Sequence, residues 1–512
     1  MMKSYILNPS LPSSAHPFII SSRASLTFSN FSALVNSALG GLERTFQPGE
    51  RVAILSGNCP EYLILLFAMW QLKVVPILIN TRWPESYISD NLRKINCRQI
   101  ICASDFFSLN LRGIKKERLD NIVSFSPKNL PPFSPKPIHL YLNQDGSTIF
   151  TSGSSGKPKA ILHTLGNHYF NALGSNQNIQ LQPGDRWLLS LPLYHVGGLS
   201  IVFRTLLAGS AMVIPDLELS LEKSISNQKI THLSLVATQL YRLLQKQRII
   251  PHLKNMKSIL LGGGPVPFSL LKKCAEIKLP IYVSYGSTEM ASQITTTSKS
   301  DGLEQWKTSG KLLPYRELRL LGNGEILVRG KTLCKGYLSS GKLKKITDKA
   351  GWFHSGDLGE LSEDGYLTVM GRKDNLFISG GEKIQPEEIE EQIRNIPGVE
   401  EVVVVQIPDL EFGERPVAVI KMEENKKKEK RQDSINKKTK QGWQRTETIE
   451  KFREIEDCLR KLLPRYKVPD HFLLWPEEGR KGLKINRVEF RKWAEKMVTE
   501  GRLAKSPSRK SP

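Results

Sequence analysis

A short run of glycine and hydroxyl residues offers the clearest chemistry in this sequence. The segment Thr151-Ser152-Gly153-Ser154-Ser155-Gly156-Lys157-Pro158-Lys159-Ala160 follows an apolar run, Thr148 to Phe150, that predicts a strand. Glycines let backbone N–H groups turn inward, hydroxyls donate hydrogen bonds and lysines supply charge, which together favour phosphate oxygens. The spacing is not that of a Walker A loop, because only two residues separate Gly153 from Gly156. Taken alone, the segment could equally be a flexible surface loop.

Further groups of this kind stand where predicted strands end. Gly262-Gly263-Gly264 would let a flat ring lie against the backbone. Tyr285-Gly286-Ser287-Thr288-Glu289 combines a ring for stacking, a hydroxyl for phosphate and a carboxylate for Mg²⁺. Asp357 could accept hydrogen bonds from a ribose diol, or could be a turn aspartate. His195 precedes two glycines at a strand end, where α/β sheets present ligands, although a core or capping histidine is the alternative.

Two basic residues, Arg204 and Lys484, have no carboxylate near them in the sequence that would be an obvious ion-pair partner. Arg204 interrupts an apolar helix predicted from Leu199 to Leu207, so it either extends to water or pairs with a buried anion. Lys484 lies in a loop before the last predicted helix, and without further context it is a solvated surface lysine.

The composition is that of an ordinary globular protein with a basic surface. The chain has 512 residues, 39% hydrophobic and 24% charged, and a net charge of +23. Such charge suits nucleic acid, an anionic membrane surface or small anionic substrates. We find no nucleic-acid-binding motif, signal peptide or apolar run long enough to span a membrane. Six scattered cysteines fit buried thiols in a reducing compartment, so we expect a cytoplasmic protein without nucleic-acid partners.

The elements that must position these residues alternate between strand and helix patterns. Arg51 to Leu55 predicts a strand, Tyr62 to Trp70 a buried helix and Val74 to Ile79 the next strand. This alternation predicts α/β layers, and short strands over 310–370 predict a β-rich subdomain. We expect a large N-terminal domain over 1–373 and a small, mobile α+β C-terminal domain over 375–512. A lysine-rich insertion at 423–448 is predicted to be disordered.

The same segments, in this order, resemble the adenylate-forming superfamily of acyl-CoA synthetases, adenylation domains and luciferase. The resemblance covers nearly the whole chain. It rests on five motifs: Thr151–Ala160, Tyr285–Glu289, Ser355-Gly356-Asp357, Gly371-Arg372-Lys373-Asp374 and Gly482-Leu483-Lys484.

Within the superfamily, the chain looks most like the o-succinylbenzoate–CoA ligases of menaquinone biosynthesis. This narrower resemblance rests on four segments: 191–199, 231–240, 374–382 and 482–487. Departures are Ser154-Ser155 and Ala160 in the loop, Ser287 in place of a larger apolar residue, and the insertion. The hydroxyl changes preserve the donors, whereas Ser287 could alter the depth of the pocket.

The resemblance implies ATP, Mg²⁺ and coenzyme A as reactants or cofactors and an aromatic dicarboxylic acid as substrate. The acid would react with ATP to an acyl-adenylate, and the CoA thiol would then displace AMP. The implied ATP site comprises Thr151, Ser152, Gly153, Ser154, Ser155, Gly156, Lys157, Lys159, Gly262, Gly263, Gly264, Tyr285, Gly286, Ser287, Thr288, Asp357 and Arg372.

The other implied roles concern the acid, the metal and the second step. Glu289 would hold Mg²⁺ and act with Thr288 and Lys484 in catalysis. His195 would lie near the reacting carboxylate, and Arg204 would bind the second carboxylate. The C-terminal domain would turn at Asp374, which withdraws Lys484 and brings Gly380, Gly381 and Glu382 to the CoA side.

Alternative functions remain open at this point. The ATP motifs would equally suit another aryl- or acyl-CoA synthetase, or an adenylation enzyme that loads a carrier protein. A third interpretation is a nucleotide-binding protein without catalytic activity whose basic surface binds nucleic acid. The presence of Lys484, Glu289 and Asp357 disfavours it. The sequence allows a homodimer.

Overall fold

The computed structural model describes residues 4–7, 16–125, 138–152, 158–216, 218–379, 382–409, 412–423, 437–476, 487–500 and 504–505. Lys484, Gly380, Gly381 and Gly153 to Lys157 of the predicted site lie outside these ranges. None of the helices in the described ranges combines the length and hydropathy that a bilayer crossing requires.

Strands and helices alternate along most of the chain. The first part contains β1 (Ser4–Leu7), β2 (Pro17–Ile20), β3 (Ser25–Thr27), α1 (Phe28–Glu43), β4 (Arg51–Leu55), α2 (Pro60–Leu72), β5 (Val75–Leu78), α3 (Glu85–Lys94), β6 (Gln99–Cys102), β7 (Lys115–Arg118), α4 (Leu119–Ile122), β8 (Ile138–Tyr141) and β9 (Asp145–Ser152). The middle part contains β10 (Pro158–Thr164), α5 (Leu165–Ile179), β11 (Arg186–Leu188), α6 (Val196–Ala208), β12 (Ala211–Val213), α7 (Leu221–Asn227), β13 (His232–Leu235), α8 (Ala237–Leu244), α9 (Ile250–Lys254), β14 (Ser258–Leu261), α10 (Phe268–Glu276), β15 (Ile281–Ser287), β16 (Ser292–Thr296) and α11 (Leu303–Trp306).

The remainder is first β-rich and then mixed. The β-rich part contains β17 (Lys311–Leu312), β18 (Arg316–Leu320), β19 (Glu325–Gly330), β20 (Gly336–Ser339), β21 (Lys342–Lys344), β22 (Phe353–Leu361) and β23 (Leu367–Arg372). The last part contains β24 (Phe377–Ser379), β25 (Glu382–Ile384), α12 (Pro386–Arg394), β26 (Val399–Asp409), β27 (Gly413–Met422), α13 (Lys437–Leu462), β28 (His471–Leu474), α14 (Arg487–Thr499) and β29 (Ala504–Lys505).

Two large sheets enclose a shared layer of helices. One has eight strands in the order β21-β20-β10-β9-β5-β4-β6-β7, and the other has nine in the order β17-β16-β15-β14-β13-β11-β12-β2-β3. Adjacent residues of a strand face opposite sides. Ile54 therefore joins the shared core with α1, α2 and α6, whereas Ala53 and Leu55 pack with α3 on the outer face. This arrangement confirms the predicted α/β layers.

Helix α2 shows how the sequence dictates one layer. Pro60 occupies its first turn, where a missing N–H costs nothing, and Lys73 ends it in the left-handed conformation. Every residue from Tyr62 to Trp70 is fully buried, because the helix packs on both sides. This confirms the predicted buried helix, and β4 and β5 confirm its flanking strands.

The later strands form smaller sheets. Strands β18, β19, β22 and β23 make a four-stranded antiparallel sheet, which confirms the predicted β-rich subdomain. After Asp374, β26 to β29 form another four-stranded sheet with a core on each face. Val402 and Val404 pack with α12 and α13, whereas Val403 and Val405 pack with α14. The predicted domain boundaries stay a prediction, as does the mobility of the second unit.

The predicted disorder over 423–448 stays a prediction, and the structure describes only the two ends of this segment. Glu423 continues directly from β27 and accepts a hydrogen bond from Tyr241 in α8. Helix α13 begins at Lys437, inside the C-terminal part of this segment. Lysine, glutamate, glutamine and arginine are good helix formers, so a charged segment is also compatible with a solvated helix. Residues 424–436 lie outside the described ranges.

Candidate active site

The end of strand β15 lies at the centre of the candidate site. Tyr285, Gly286 and Ser287 are its last residues, and Thr288 and Glu289 form the turn before β16. Glycine is required at 286, because a Cβ atom there would lie 2.1 Å from the carbonyl oxygen of Ser292 on β16. The Ser287 hydroxyl accepts a hydrogen bond from the backbone N–H of Met290 and thereby closes the turn.

Three motifs that are distant in the sequence meet at Asp357. The Tyr285 hydroxyl donates to its Oδ2 over 2.6 Å, and Nη1 of Arg372 donates to its Oδ1 over 2.9 Å. Asp357 and Arg372 are direct partners in the β22–β23 ladder. Burial, and then the charge of Asp357, raises the pKa of Tyr285 well above its ordinary value. Tyr285 therefore remains a donor at neutral pH, and Asp357 is held by two partners before any ligand arrives.

Glu289 faces a tyrosine that the sequence did not single out. The Tyr337 hydroxyl of β20 donates to Glu289 Oε1 over 3.0 Å. Nζ of Lys159 lies 5.0 Å from the centroid of the same ring. Burial, and then the charge of Glu289, raises the pKa of Tyr337, so it too stays protonated. One carboxylate and one lysine are thus gathered beside the phosphate-loop strands.

The predicted phosphate loop joins two paired strand ends. Thr151 and Ser152 close β9, and Pro158 and Lys159 open β10, with Lys159 paired to Thr151 and Pro158 to Ser152. The five residues between them lie outside the described part of the chain. The hairpin is next to β20 in the eight-stranded sheet, and Lys159 at the start of β10 lies beside the Tyr337 ring.

The three-glycine run stands beside Tyr285. Gly262 to Gly264 follow β14, which pairs in parallel with β15 through Leu261 and Val283. A Cβ atom at Gly264 would have nothing within 4 Å, so the described residues leave open space here. Both strands present their carboxyl ends at this edge, the usual place for ligands in α/β sheets.

His195 and Arg204 lie on one helix. His195 is the N-cap of α6, and its ring centroid lies 4.8 Å from that of Tyr194. Gly198 is required in the first turn, because a Cβ atom there would lie 2.1 Å from the carbonyl oxygen of Pro192. Arg204 follows about 13 Å farther along the helix axis, given the usual rise per residue.

The guanidinium of Arg204 is buried, and none of the described residues gives it a carboxylate partner. The residue is 1% exposed, and its Nη2 donates to the side-chain oxygen of Gln293 over 2.6 Å. Its Nε has no hydrogen-bond partner within the described ranges. Burial, and then the charge of Arg316, lowers the pKa of Arg204 to about 9. A buried cation in this state would be stabilised by an anionic ligand.

The predicted hinge and CoA-side residues are only partly described. Asp374 lies in a 3₁₀ turn, Lys373–Asn375, where Nη2 of Arg372 approaches its carboxylate at 3.4 Å. Glu382 begins β25 and pairs with Ser379. No contact within the described ranges joins Glu382 to Tyr285 or Asp357. Lys484 lies outside those ranges.

Three residues that contact the candidate site were not identified from the sequence: Tyr337, Gln293 and His163. Each is an isolated residue of its type in an apolar or hydroxyl-rich strand, without a neighbouring glycine run or charge cluster. Their contacts depend on strand pairing over long separations, for example between Ile161 and Tyr337. The Gly336-Tyr337 dipeptide at a strand start was the one local signal available.

Two layered sheets with a candidate site at the carboxyl ends of β14 and β15 are the fold class of adenylate-forming enzymes. Comparison with known proteins identifies the family. A family profile described as AMP-binding enzyme matches residues 12–338, and one described as AMP-binding enzyme C-terminal domain matches residues 388–480.

Two curated relatives show which enzymes of this family the chain is similar to. The chain is 35% identical to the 2-succinylbenzoate–CoA ligase of Listeria innocua over 404 residues, which cover 78% of this chain and 84% of the relative. It is 36% identical to the Bacillus licheniformis enzyme of the same name over 386 residues, 73% of this chain and 79% of the relative.

Solved structures agree with these relatives. The o-succinylbenzoate CoA synthetase of Bacillus subtilis in complex with the acyl-adenylate OSB-AMP aligns with a TM-score of 0.79 at 27% identity, covering 94% of this chain and 96% of that chain. The same synthetase with ATP and magnesium gives a TM-score of 0.79 at 27% identity, covering 95% and 99%. The chain therefore belongs to the AMP-binding enzyme family, on its 2-succinylbenzoate–CoA ligase branch.

Proposed function

We propose that this chain is an ATP-dependent acid–thiol ligase that converts 2-succinylbenzoate and CoA into 2-succinylbenzoyl-CoA through an acyl-adenylate, a step of menaquinone biosynthesis. The observation that carries the proposal is the hydrogen-bonded network of Tyr285, Asp357 and Arg372, which brings three separate motifs together at the end of β15. The names of the relatives supply the acid and the thiol.

Two substitutions at different atoms make up the reaction. An oxygen of the acid's carboxylate attacks the α-phosphorus of ATP, and the bond from that phosphorus to the bridging oxygen breaks to release pyrophosphate. The CoA sulfur then attacks the activated acyl carbon, the bond from that carbon to the oxygen it shares with phosphorus breaks, AMP leaves with that oxygen, and the thiol proton passes to solvent. Charge moves onto phosphate oxygens in the first step, so catalysis depends on positioning and electrostatics.

The nucleotide would lie along the carboxyl ends of β14 and β15. Asp357 and Arg372 would bind the ribose hydroxyls, since Asp357 keeps acceptor capacity beyond its two present partners. Gly262 to Gly264 and the Tyr285 ring would enclose the adenine. Thr151 to Lys159 would receive the β- and γ-phosphates at the tip of the β9–β10 hairpin. Thr288 would contact phosphate from the turn.

Glu289 fits a magnesium ion that travels with ATP. Mg²⁺ in nucleotide sites is usually bound by one or two carboxylates together with substrate phosphates. In the described part of the chain no cluster of three or more His, Cys, Asp or Glu could hold a metal, which agrees with a single carboxylate and shared phosphates. The ion would neutralise phosphate charge when bound, and Glu289 would orient it beside the hairpin.

The acid would lie along helix α6. His195 at the N-cap would stand near the carboxylate that reacts, and Arg204 would bind the carboxylate that does not. The support for the second role is the buried guanidinium that has no carboxylate partner among the described residues. A monocarboxylic acid would leave this charge uncompensated, so the site would favour a dicarboxylic acid.

The second unit would supply the residues that separate the two steps. Lys484 would bridge the acid carboxylate and the α-phosphate in the first step. Rotation at Asp374 would then withdraw it and bring Gly380, Gly381 and Glu382 to the CoA channel. Closure of this kind excludes water from the reactive mixed anhydride. The homodimer and the cytoplasmic location remain predictions from sequence.

To test this proposal, the purified protein is incubated with ATP, Mg²⁺, CoA and a panel of acids, and the formation of AMP and thioester is measured. The panel contains o-succinylbenzoate, 4-oxo-4-phenylbutanoate, which lacks the ring carboxylate, benzoate and a medium-chain fatty acid. We expect the highest kcat/KM for o-succinylbenzoate. Preference for another acid would contradict the substrate assignment, and adenylation without transfer to CoA would indicate a carrier protein as acceptor.

A further inference from the structure

The turn that carries Glu289 is held from outside its own sheet. Thr288 and Glu289 connect β15 and β16 of the nine-stranded sheet. The carbonyl oxygen of Thr288 lies 2.7 Å from Nε2 of His163 in β10. The carbonyl oxygen of Glu289 accepts from the backbone N–H of Cys334 over 2.8 Å, and its carboxylate accepts from Tyr337. Strand β10 and β20 both belong to the eight-stranded sheet, so this turn fastens the two sheets together.

His163 sets the direction of the peptide between Thr288 and Glu289. A carbonyl oxygen can only accept, so Nε2 of His163 must carry the hydrogen. The side chain is fully buried, and its ring centroid lies 4.8 Å from that of His168, which is itself 2.8 Å from the Ser147 hydroxyl through Nε2. The His163 ring is thus packed in the interior, and the Thr288 carbonyl is directed toward it into the protein. The Glu289 side chain then projects toward β20.

Tyr337 stands between the carboxylate and the lysine of the site. Its hydroxyl orients Glu289, while its ring face supports the Lys159 ammonium at 5.0 Å. Glu289 and Lys159 make no direct ion pair within the described part of the chain. Both groups therefore remain available to a ligand that carries a cation and an anion together.

We propose that His163 and Tyr337 are positioning residues that hold the Thr288–Glu289 turn so that Glu289 receives the magnesium ion of MgATP. This inference rests on the proposed function, because it takes the Mg²⁺ role of Glu289 from there. Partners that orient a metal ligand typically contribute 10- to 100-fold to metal affinity, roughly, when they are removed singly. Both residues would act through the Thr288–Glu289 turn.

The test measures ATP binding by calorimetry across a series of Mg²⁺ concentrations. Tyr337→Phe removes the hydroxyl but keeps the ring for Lys159, and we expect the Mg²⁺ concentration for half-maximal ATP binding to rise about tenfold. His163→Leu should shift it in the same direction, whereas His163→Gln, which retains an N–H donor at similar reach, should remain near wild type. Tyr366→Phe is the matched control, because Tyr366 donates to Asp301 over 2.8 Å outside this turn.

Acid-dependent ATP–pyrophosphate exchange under the same conditions provides the second readout. We expect the rate of Tyr337→Phe to approach wild type as Mg²⁺ saturates. Unchanged Mg²⁺ dependence in folded Tyr337→Phe overturns the inference, as does equal behaviour of Tyr337→Phe and Tyr366→Phe. If wild type binds MgATP with the expected variant pattern but exchanges with no acid, the positioning role stands and the proposed function fails. ATP binding by wild type that does not depend on Mg²⁺ overturns the positioning role.

Discussion

Tyr285 donates its phenolic hydrogen to Asp357 over 2.6 Å, although 72 residues separate the two in the chain. One lies at the end of β15 and the other on β22 of the β-rich sheet. The bond joins two sheets at the edge where the nucleotide would bind. The Asp357 carboxylate is thereby oriented in advance, which reduces the cost of ordering it when a ribose arrives.

Tyr285→Phe is therefore expected to weaken ATP binding without affecting the acid. The ring that would stack on adenine remains, and only the hydrogen bond to a charged acceptor is lost, a change of roughly 1.5–3 kcal/mol in such cases. Because Arg372 still holds Asp357, we expect the lower end, about a tenfold rise in KM for ATP. Steady-state AMP formation measures this. A rise in KM for the acid equal to that for ATP would show that Tyr285 serves the acid site instead.

Arg204→Met is expected to impair dicarboxylic acids selectively. Methionine keeps apolar volume beside Trp187, and the buried charge is removed. Loss of one partner from a desolvated charge pair costs about 2–5 kcal/mol, so kcat/KM for o-succinylbenzoate should fall by about 30-fold or more. The matched substrate is 4-oxo-4-phenylbutanoate, whose kcat/KM should change less than about threefold, since it offers Arg204 no second carboxylate. Equal losses for both acids would remove Arg204 from the substrate site.

Lys484→Ala is expected to separate the two half-reactions. Without the lysine, charge on the attacked α-phosphate would be poorly stabilised, and adenylation should slow by roughly 10²–10³-fold. Thioester formation from supplied acyl-adenylate and CoA should proceed at nearly the wild-type rate, because that step does not use the residue. Lys481→Ala, a change of the same kind in the same segment, is the control. Similar slowing of both half-reactions would contradict the assignment.

Three buried histidines predict a loss of folding stability in acid. Burial lowers the pKa of His163 and of His232 to about 4, and burial with the nearby charge of His163 lowers that of His168 well below its usual value. The unfolded chain would take up these protons near pH 6.5, where histidine ordinarily titrates, whereas the folded chain stays neutral. Unfolding then binds protons, so their contribution is complete above about pH 6.5 and declines toward pH 4.

The free energy of unfolding should fall by up to roughly 1.4 kcal/mol per pH unit for each of these histidines within that window. Urea denaturation between about pH 7.5 and pH 4.5 measures the slope. His232→Asn should reduce it by about one third, whereas His252→Asn, at an exposed position of α9, should leave it unchanged. The same slope in both variants would show that other groups dominate the acid response.

Much of the fold was predictable because its signals are local. The fully apolar run of α2 and the short apolar strands around it have one stable arrangement, buried layers of sheet and helix. The site motifs were predictable for a related reason. Tyr285 stands beside Gly286 at the end of β15, where parallel strands present their carboxyl ends, and Asp357 and Arg372 each follow a glycine in the β22–β23 hairpin.

The remainder depends on which strands pair. Nothing near His163 in the sequence indicates that its ring meets Thr288, 125 residues away. Nothing near Arg204 indicates that the amide of Gln293 would contact it, rather than a carboxylate. The start of α13 at Lys437 was not predictable for another reason, since a charge-rich composition does not distinguish a solvated helix from a disordered chain.

The most direct measurement withholds CoA and looks for the intermediate. Enzyme at high concentration is mixed with o-succinylbenzoate and MgATP, quenched, and analysed by mass spectrometry. We predict 2-succinylbenzoyl-AMP and pyrophosphate in equal amounts, up to one per active site, and conversion of the adenylate to AMP and 2-succinylbenzoyl-CoA when CoA is added. Release of ADP and phosphate, or thioester formation without any adenylate, would contradict the account.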